Sequence, residues 1–496
     1  MNVLMFSPYA GWCPSFEYEL EIMQNHLDAG DSVTIAVCNA DLPTCDYNLP
    51  HALKECFHCV GRRLFGLSQL SKPIRQIPIV SSHWLRGHAK QLPRHWNDLN
   101  SLKEFRVGNF ELGLSALSSL ITALREPSPD LRDRQTARLL YQFALSGLSV
   151  YFSLLETLQK HPFDSVYLVN GRLAIFRAVV RACEAAGVDS YTHERGWNLE
   201  HFSVHKNTLI HDLVYLERLI LDTWQAADPS SRETLAKDYY DRRAEGEGFN
   251  WQSFVEGQQA ELLPENWDPN LTNISLFTSS DDEIAALGKL WSGGPIYTDQ
   301  VSGVVELAQK FSQLPGKHLY IRVHPHQGGT DNSTLRRLKA INFPQVTVIS
   351  PESPVSSYAL LKNSAKVITF HSRMGIEATY WDKPSVLLGR TPYRNLGSTY
   401  NPESETELFE LLSRNLEAKP KLGALQYGYY FRTYGRRAKY FELTGYCEGK
   451  YRSVELRKTG LFTALAEFAS SNQRISGLLS ELSNSLNCLR IGGSPF

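Results

Sequence analysis

The chain has 496 residues, more than one ordinary domain of about 150 residues holds, so we expect two or three domains. Hydrophobic residues make up 42% and charged residues 21%, which provides enough apolar material for real cores and excludes a disordered chain. The 51 Lys and Arg against 52 Asp and Glu give a net charge of −1. Proteins that bind nucleic acid usually carry a basic excess, so we expect no nucleic-acid partner.

The first residues contain no basic segment followed by a long apolar run, so we predict no signal peptide, a cytoplasmic location and thiols rather than disulfides. The longest uncharged stretch, 139–155, carries its polar residues on one stripe of a helix, which favours a buried helix over a membrane span. These residues are Gln142, Ser146, Ser149 and Ser153. Basic stretches at 61–66, 72–75 and 429–439 can contact the inner membrane surface peripherally.

Residues 1–265 predict a Rossmann-like domain with a cysteine-rich insertion at 38–59 and a helical insertion at 102–159. A strand at 2–7, a helix at 16–29 and a strand at 32–38 form a βαβ unit, which implies a parallel sheet. The pattern returns with a strand at 165–169, a helix at 172–186 and a strand from 188. The polar segment 246–273 shows no periodicity and is the predicted interdomain linker.

Residues 270–425 predict a second Rossmann-like domain, because five short apolar strands alternate with helices. The strands are expected at 274–278, 318–324, 346–349, 366–370 and 385–388. A helical tail is predicted at 426–496. The fold class is therefore α/β, with two doubly wound parallel sheets.

The loop after the strand 318–324 contains Arg322-Val-His324-Pro325. Doubly wound sheets bind ligands at the carboxyl ends of their strands. His324 can there donate a hydrogen bond to a phosphate or a leaving-group oxygen, while Pro325 fixes the loop. A loop histidine without a ligand is an equally good interpretation of these residues taken alone.

The turn after the strand 366–370 opens a helix, whose free N–H groups and Ser372 hydroxyl predict an anion site. Gly375 allows close backbone approach, and Glu377 can cap the helix or accept hydrogen bonds from sugar hydroxyls. One βα unit earlier, Ser353 and Ser356 either contact a phosphate or simply cap a helix. The candidate donor-binding residues are Arg322, Pro325, Ser353, Ser356, His371, Ser372, Arg373, Gly375 and Glu377.

In the first half, two loops follow strands and are expected to face the same crevice. Glu194 lies between a histidine and an arginine, and is the candidate general base for an acceptor hydroxyl. A structural ion pair of Glu194 with a neighbouring arginine is the alternative. The candidate acceptor-side residues are Asn170, Arg172, His193 and Arg195.

Four cysteines follow the spacing C-x6-C-x10-C-x2-C, and their C-x2-C pair suits a metal ion. They can hold a structural zinc ion or an iron–sulfur cluster, or they are ordinary thiols. The four are Cys38, Cys45, Cys56 and Cys59. Signatures of P-loop enzymes, of H-E-x-x-H metalloproteases and of G-x-S-x-G hydrolases do not occur.

The segments Arg322–Pro325, 350–358 and 370–386 together resemble bacterial capsule polysaccharide biosynthesis proteins, which are surface-glycan glycosyltransferases of GT-B type related to Kdo and sialic acid transferases. The resemblance covers roughly residues 274–415. It implies two Rossmann-like domains facing a central cleft, with a nucleotide-sugar bound mainly by the second. It also implies that His324, Pro325 and Ser372 contact the nucleotide phosphate. The chain departs from the sialyltransferase pattern in lacking an acidic pair followed by glycine, which leaves the base open.

We therefore predict a nucleotide-sugar-dependent glycosyltransferase whose acceptor is a surface glycan or glycolipid, with His324 and Glu194 as catalytic residues and no cofactor required for catalysis. The alternatives are a UDP-sugar 2-epimerase, a polyol-phosphate transferase of similar fold, and a non-catalytic glycan-assembly subunit.

Overall fold

The computed structural model describes residues 1–456 apart from 81–86, 89, 94, 97, 250–252, 289–290, 292 and 446–447. The described chain forms two compact units. Unit 1 consists of residues 1–124, 129–210 and the segment from Gly435 onward, and unit 2 of residues 125–128 and 211–434.

Unit 1 begins with the predicted βαβ unit. Its first strands are β1 Asn2–Ser7, β2 Ser32–Val37, β3 Arg75–Pro78, β4 Ser165–Val169, β5 Asp189–Arg195 and β6 His201–Lys206. Its helices are α1 Ser15–Asp28, α2 Leu53–Ser68, α3 Leu99–Glu104, α4 Leu112–Leu124, α5 Arg134–Lys160 and α6 Ala174–Ala186. Strands β5-β4-β1-β2-β3 lie side by side in parallel, and β6 is antiparallel at the β5 edge. The continuous apolar sequence of β1 fits a strand that is covered on both faces.

Helix α1 carries three glutamates inside unit 1, at positions 17, 19 and 21. Arg62 of α2 pairs with Glu17, and the backbone N–H groups of residues 439–440 donate to Glu21 at 2.9 and 2.7 Å. Buried carboxylates need such partners, because an unpaired charge inside a protein is costly. Helix α1 therefore ties distant parts of unit 1 together. Arg62 is buried in this contact, so the expectation that the basic stretch 61–66 contacts lipid is wrong for this residue.

Helix α5 passes through the core of unit 1. By length and composition alone it could cross a membrane, but 67% of its apolar window is buried inside the protein. The predicted stripe is buried as well: Ser146 and Ser149 are fully covered, and the Ser146 hydroxyl donates to the carbonyl oxygen of Gln142. The Ser146 hydroxyl thus has a backbone partner without water, which allows this polar residue to lie in the core.

Unit 2 contains the second predicted sheet. Its strands are β7 Thr272–Phe277, β8 Lys317–Arg322, β9 Val346–Ile349, β10 Lys366–Thr369 and β11 Ser385–Leu387. Its helices are α7 Leu213–Ala226, α8 Arg232–Ala244, α9 Gln300–Phe311, α10 Ser333–Lys339, α11 Ser357–Asn363, α12 Met374–Tyr380, α13 Glu405–Ser413 and α14 Leu422–Thr433. The strand order is β11-β10-β7-β8-β9, with every pairing parallel. The predicted α/β class with two Rossmann-like units is confirmed; the cleft expected between them stays a prediction.

The chain then returns to unit 1. Strand β12, Arg436–Arg437, adds to the sheet beside β6, and a small antiparallel sheet follows. The strands of that sheet are β13 Phe441–Gly445, β14 Glu448–Tyr451 and β15 Val454–Glu455. Phe441, Tyr451 and Leu456 pack into the same apolar cluster as α1.

This path corrects the predicted domain boundaries of 1–265, 270–425 and 426–496. Unit 2 starts at His211, so the expected linker 246–273 lies within unit 2. Helices α7 and α8 belong to unit 2, because α8 packs on α14 through a shared tyrosine cluster. The helical tail predicted at 426–496 is helical only to Thr433, where α14 ends, and the chain then forms β12 to β15. Residues 457–496 of this prediction lie outside the described residues.

Replacing Arg62 with methionine should leave the Glu17 carboxylate buried without its cation. We expect the free energy of unfolding to fall by about 3–5 kcal/mol, as for other broken buried ion pairs. The matched control is Lys160→Met, which removes an exposed pair with Glu156 and should cost less than about 1 kcal/mol. Urea unfolding followed by tryptophan fluorescence measures both values. Equal losses would contradict the buried pair as an anchor of α1.

Candidate functional site

Three loops of unit 2 meet at the carboxyl edge of its sheet. Strand β7 is central, pairing in parallel with β8 on one side and β10 on the other. The strand order reverses between β7 and β10, which is where doubly wound sheets bind ligands. The loops that follow these strands begin at Thr278, Val323 and Phe370.

His324 is half-buried in the loop after β8. Its backbone N–H donates to Thr278 Oγ1 at 3.0 Å, which joins this loop to the loop after β7. Its ring atom Nδ1 accepts the backbone N–H of His326 at 3.1 Å, within a 3-10 turn at Pro325–Gln327. Because Nδ1 accepts, we assign the proton of the neutral ring to Nε2. This nitrogen can then donate a hydrogen bond to a ligand oxygen.

The surroundings of His324 keep its ring uncharged. Burial lowers the pKa of His324 to about 4, and the charges of Arg322 and Arg373 act in the same direction, against Glu283. At neutral pH the site therefore presents a neutral donor from His324, at the same edge of the sheet as the loop that carries Arg373.

The sequence analysis missed three residues around His324 and His326. The Ser280 hydroxyl lies 3.3 Å from His326 Nδ1, and a Glu283 carboxylate oxygen lies 3.2 Å from the same nitrogen. The Phe254 ring packs 4.8 Å from the His324 ring. A usable signal was the run of polar residues at 278–283 directly after a buried strand; nothing in the aperiodic segment around Phe254 indicated its contact.

Three predicted donor-binding residues hold the loop after β9 instead of facing a ligand. Arg322 is only 1% exposed and donates to the carbonyl oxygens of Ser350 and Ser353, so its prediction as a ligand contact is wrong. Ser353 Oγ accepts the N–H of Val355, and Ser356 Oγ caps α11 by accepting the N–H of Ala359. The capping alternative therefore describes Ser356, whereas Ser353 bonds within the loop before α11.

The loop after β10 places a histidine, a serine and an arginine at the same edge. His371 Nδ1 donates to the carbonyl oxygen of Arg390 at 2.9 Å, so its Nε2 is the acceptor. Ser372 Oγ accepts the N–H of Met374, and the Arg373 side chain is exposed over the Phe431 ring. The first N–H of α12 is therefore already bonded by Ser372.

Gly375 and Glu377 have structural tasks that differ from those predicted. A Cβ at Gly375 would lie 2.5 Å from Thr369 Oγ1, so glycine is needed for packing α12 on β10 and not for a ligand. Glu377 is fully buried, accepting hydrogen bonds from Arg243 Nε at 3.1 Å and from the Tyr358 hydroxyl at 2.6 Å. Its carboxylate is occupied, which corrects the prediction that it accepts hydrogen bonds from the donor.

In unit 1, Glu194 stands at the carboxyl end of β5. Asn170 Nδ2 donates to one carboxylate oxygen at 2.9 Å, and the backbone N–H of Arg195 donates to the other at 3.1 Å. The Arg195 guanidinium lies 3.6 Å away as a loose ion pair, and about a quarter of the Glu194 side chain is exposed. Glu194 is thus held in place and open to solvent, as a base needs to be.

Two other predicted acceptor-side residues, Arg172 and His193, have side chains that make contacts within unit 1. Arg172 donates to Thr122 Oγ1 at 2.9 Å. His193 is fully buried, with Nε2 3.7 Å from a carboxylate oxygen of Glu19, so its prediction as an acceptor contact is wrong. Side chains alternate along a strand, and the position before Glu194 consequently points to the opposite face of the sheet. Burial raises the pKa of Glu19.

All four cysteines of the predicted metal site line one small cavity between β2 and α2. Among the described residues, however, no three His, Cys, Asp or Glu side chains are arranged to share a metal ion. Burial raises the pKa of Cys38 to about 12, and also raises the pKa of Cys45 and Cys59. Metal binding requires thiolates. The described residues therefore show no preformed metal site, and a zinc ion at these cysteines stays a prediction.

Residues 293–421 match the family model of the capsule polysaccharide biosynthesis proteins, which confirms the resemblance seen in the sequence. The matched segment includes β8 to β11 and so carries His324 and Ser372. No curated protein sequence matches the chain.

Solved structures with some likeness include two KpsC enzymes of Thermosulfurimonas dismutans. The β-Kdo 2,4-transferase is 14% identical over 61% of this chain and 89% of that one, with a TM-score of 0.37. The β-Kdo 2,7-transferase is 17% identical over 56% and 79%, with a TM-score of 0.32. A UDP-GlcNAc 2-epimerase of Methanocaldococcus jannaschii is 10% identical over 86% and 98%, with a TM-score of 0.29. Values this low carry no conclusion about the reaction.

The depressed pKa of His324 should make folding sensitive to acid. The unfolded chain takes up a proton on this ring near pH 6.5, whereas the folded chain does so only near pH 4. The stability that the neutral ring contributes is therefore present above pH 6.5 and is lost as the pH falls towards 4. We expect His324→Gln to lose less stability than the wild type between pH 7 and pH 5, measured as urea midpoints. The exposed His95→Gln is the control; identical losses in all three proteins would contradict the burial of His324.

Proposed function

We propose that the protein is a glycosyltransferase that moves a sugar from a nucleotide-sugar donor to a growing surface polysaccharide of capsule or lipopolysaccharide type. The observation that carries this proposal is the His324 ring. It offers a neutral Nε2–H donor at the carboxyl edge of the unit 2 sheet, within the segment that matches the capsule family. A fixed donor at that position suits a phosphate that gains charge as the sugar departs.

In this proposal unit 2 binds the donor. His324 Nε2 donates to a phosphate oxygen, and the exposed Arg373 supplies positive charge. His326, bonded by Ser280 and Glu283, holds the His324 ring through its backbone N–H. Side chains alone can balance the phosphate charge, so we propose catalysis without a metal ion.

Unit 1 supplies the base for the acceptor. The Glu194 carboxylate removes the proton of the attacking hydroxyl as its oxygen bonds to the anomeric carbon of the sugar. The bond from that carbon to the phosphate oxygen breaks, and the nucleotide leaves with the electron pair. Asn170 keeps the carboxylate in one orientation through its 2.9 Å hydrogen bond, which supports a positioning role for this residue.

We expect His324→Ala to lower turnover by about 100-fold or more, because a hydrogen-bond donor to the leaving group is lost. The matched control is His318→Ala, near the start of β8 and so at the opposite end of this strand from the His324 loop, which should keep turnover near the wild-type value. Sugar transfer to an isolated capsule acceptor measures both, with thermal melting as the test of folding. Unchanged turnover in a folded His324→Ala protein would remove this residue from the mechanism.

Glu194→Gln keeps the size and the partners of the side chain but removes its basicity. We expect turnover to fall by about 100- to 10,000-fold, with the KM of the donor little changed. Glu200→Gln, on the same sheet edge and paired with Arg437, is the control and should remain active. An active Glu194→Gln enzyme with an unaltered pH profile would assign the base to another group.

The donor can be identified by thermal melting with CMP, UDP, GDP and dTDP, since the best ligand raises the melting temperature most. Incubating the protein with the selected nucleotide-sugar and no acceptor then tests the reaction class. A transferase should leave the sugar moiety unchanged, whereas appearance of an epimeric nucleotide-sugar would replace this proposal with the 2-epimerase alternative.

A further inference from the structure

A second cavity lies in unit 1 at the edge of the sheet where the strands begin, opposite the edge that carries Glu194. It has a volume of about 590 Å3. Known ligand pockets cover roughly 300–1,000 Å3, so a small molecule or a headgroup fits. The loops that precede β2, β3 and β4 form its walls, with the buried Leu27, Val33 and Phe163 among the lining residues.

The cavity presents positive charge that no neighbouring group balances. Lys72 and Arg75 both line it and are exposed, and within the described part of the chain neither side chain makes a hydrogen bond or an ion pair. His161 lines the cavity as well. A cation that is left without a carboxylate at the mouth of a cavity is free to bind an anion.

The one carboxylate among the lining residues is already bound. Asp31 lies 2.6 Å from the Met1 amino group and 2.7 Å from His26 Nδ1, one oxygen to each. These two contacts lower the pKa of Asp31, which keeps it charged and paired. It therefore does not neutralise Lys72 or Arg75.

The backbone fixes where these cations stand. Arg75 is the first residue of β3 and lies in register with Thr34 of β2, so its Cβ is set by the sheet. Pro73 lies between the two cations, and Pro162 follows His161 on the other wall. Proline restricts the backbone, which reduces the entropy lost when a ligand binds.

We propose that this cavity binds a phosphate group, carried either by a lipid headgroup or by a free sugar phosphate. Lysine, arginine and histidine donors on separate loops can together serve the several oxygens of a phosphate. The site lies at the edge of the unit 1 sheet where the strands begin, away from the carboxyl edge that carries Glu194, and so goes beyond the proposed transferase reaction. It would hold a phosphate-bearing molecule without transforming it.

The test uses the full chain carrying His324→Ala, which is expected to weaken phosphate binding at the proposed unit 2 site. Glucose 1-phosphate is titrated by calorimetry, and vesicles of phosphatidylcholine with phosphatidylglycerol are used for co-sedimentation. The test variant adds Lys72→Glu and Arg75→Glu. The matched control adds Arg337→Glu and Lys339→Glu, which change the same residue types on the exposed face of α10.

We expect the test variant to bind one of the two probes at least tenfold more weakly, while the control stays within twofold of its parent. A loss for glucose 1-phosphate assigns the site to a free sugar phosphate, and a loss for the vesicles assigns it to a headgroup. Absence of any loss in the test variant, or equal losses in both variants, would overturn the proposal. A protein with wild-type His324 that carries Lys72→Glu and Arg75→Glu should transfer sugar at the wild-type rate. Failure of the phosphate site can therefore be distinguished from failure of the proposed transferase function.

Discussion

The parallel pairing of β7 with both β8 and β10 is the constraint on which the candidate site depends. A parallel strand pair brings its carboxyl ends to one edge, and a central strand with parallel neighbours on both sides brings three loops together. His324, Ser280 and Arg373 come from three different loops, separated by more than forty residues of sequence in each case. The sheet makes them neighbours, and the hydrogen bond from His324 N–H to Thr278 then sets their spacing.

The sequence predicted the five strands of the unit 2 sheet and β1, β2, β4 and β5 of the unit 1 sheet, because each is a short apolar run bounded by turn residues. It did not predict β3, β6 or β12. It also placed His324, Arg373 and Glu194 at strand ends. It could not predict which polar residues face inward. Arg322 and Glu377 look like ligand contacts by type and position, yet both find partners far away in the sequence, in the loop after β9 and on α8. Only the folded chain brings those partners near.

The same physical limit explains the missed elements. Strand β6 and the strands after Gly435 are short and polar on one face, and they are defined by pairing with distant segments rather than by their own periodicity. Tyr430 of α14 lies in the basic stretch 429–439, yet it is buried in the same apolar cluster as Tyr239 and Tyr240 of α8. Aromatic side chains of this size pack wherever a core accepts them, so their composition alone does not locate them.

Unit 1 contains both the start of the chain and the segment after Gly435, so it is completed only after unit 2 has been synthesised. Glu21 of α1 obtains its two N–H partners, and β6 its outer neighbour, from segments that follow Gly435. A ribosome releases the whole of unit 2 before it releases these segments. During synthesis, unit 1 therefore cannot complete its fold until unit 2 has been made, and part of α1 lacks its native contacts until then. A gene cut after residue 210 would encode a fragment lacking that cover, so the two units cannot be obtained as native halves by a single cut.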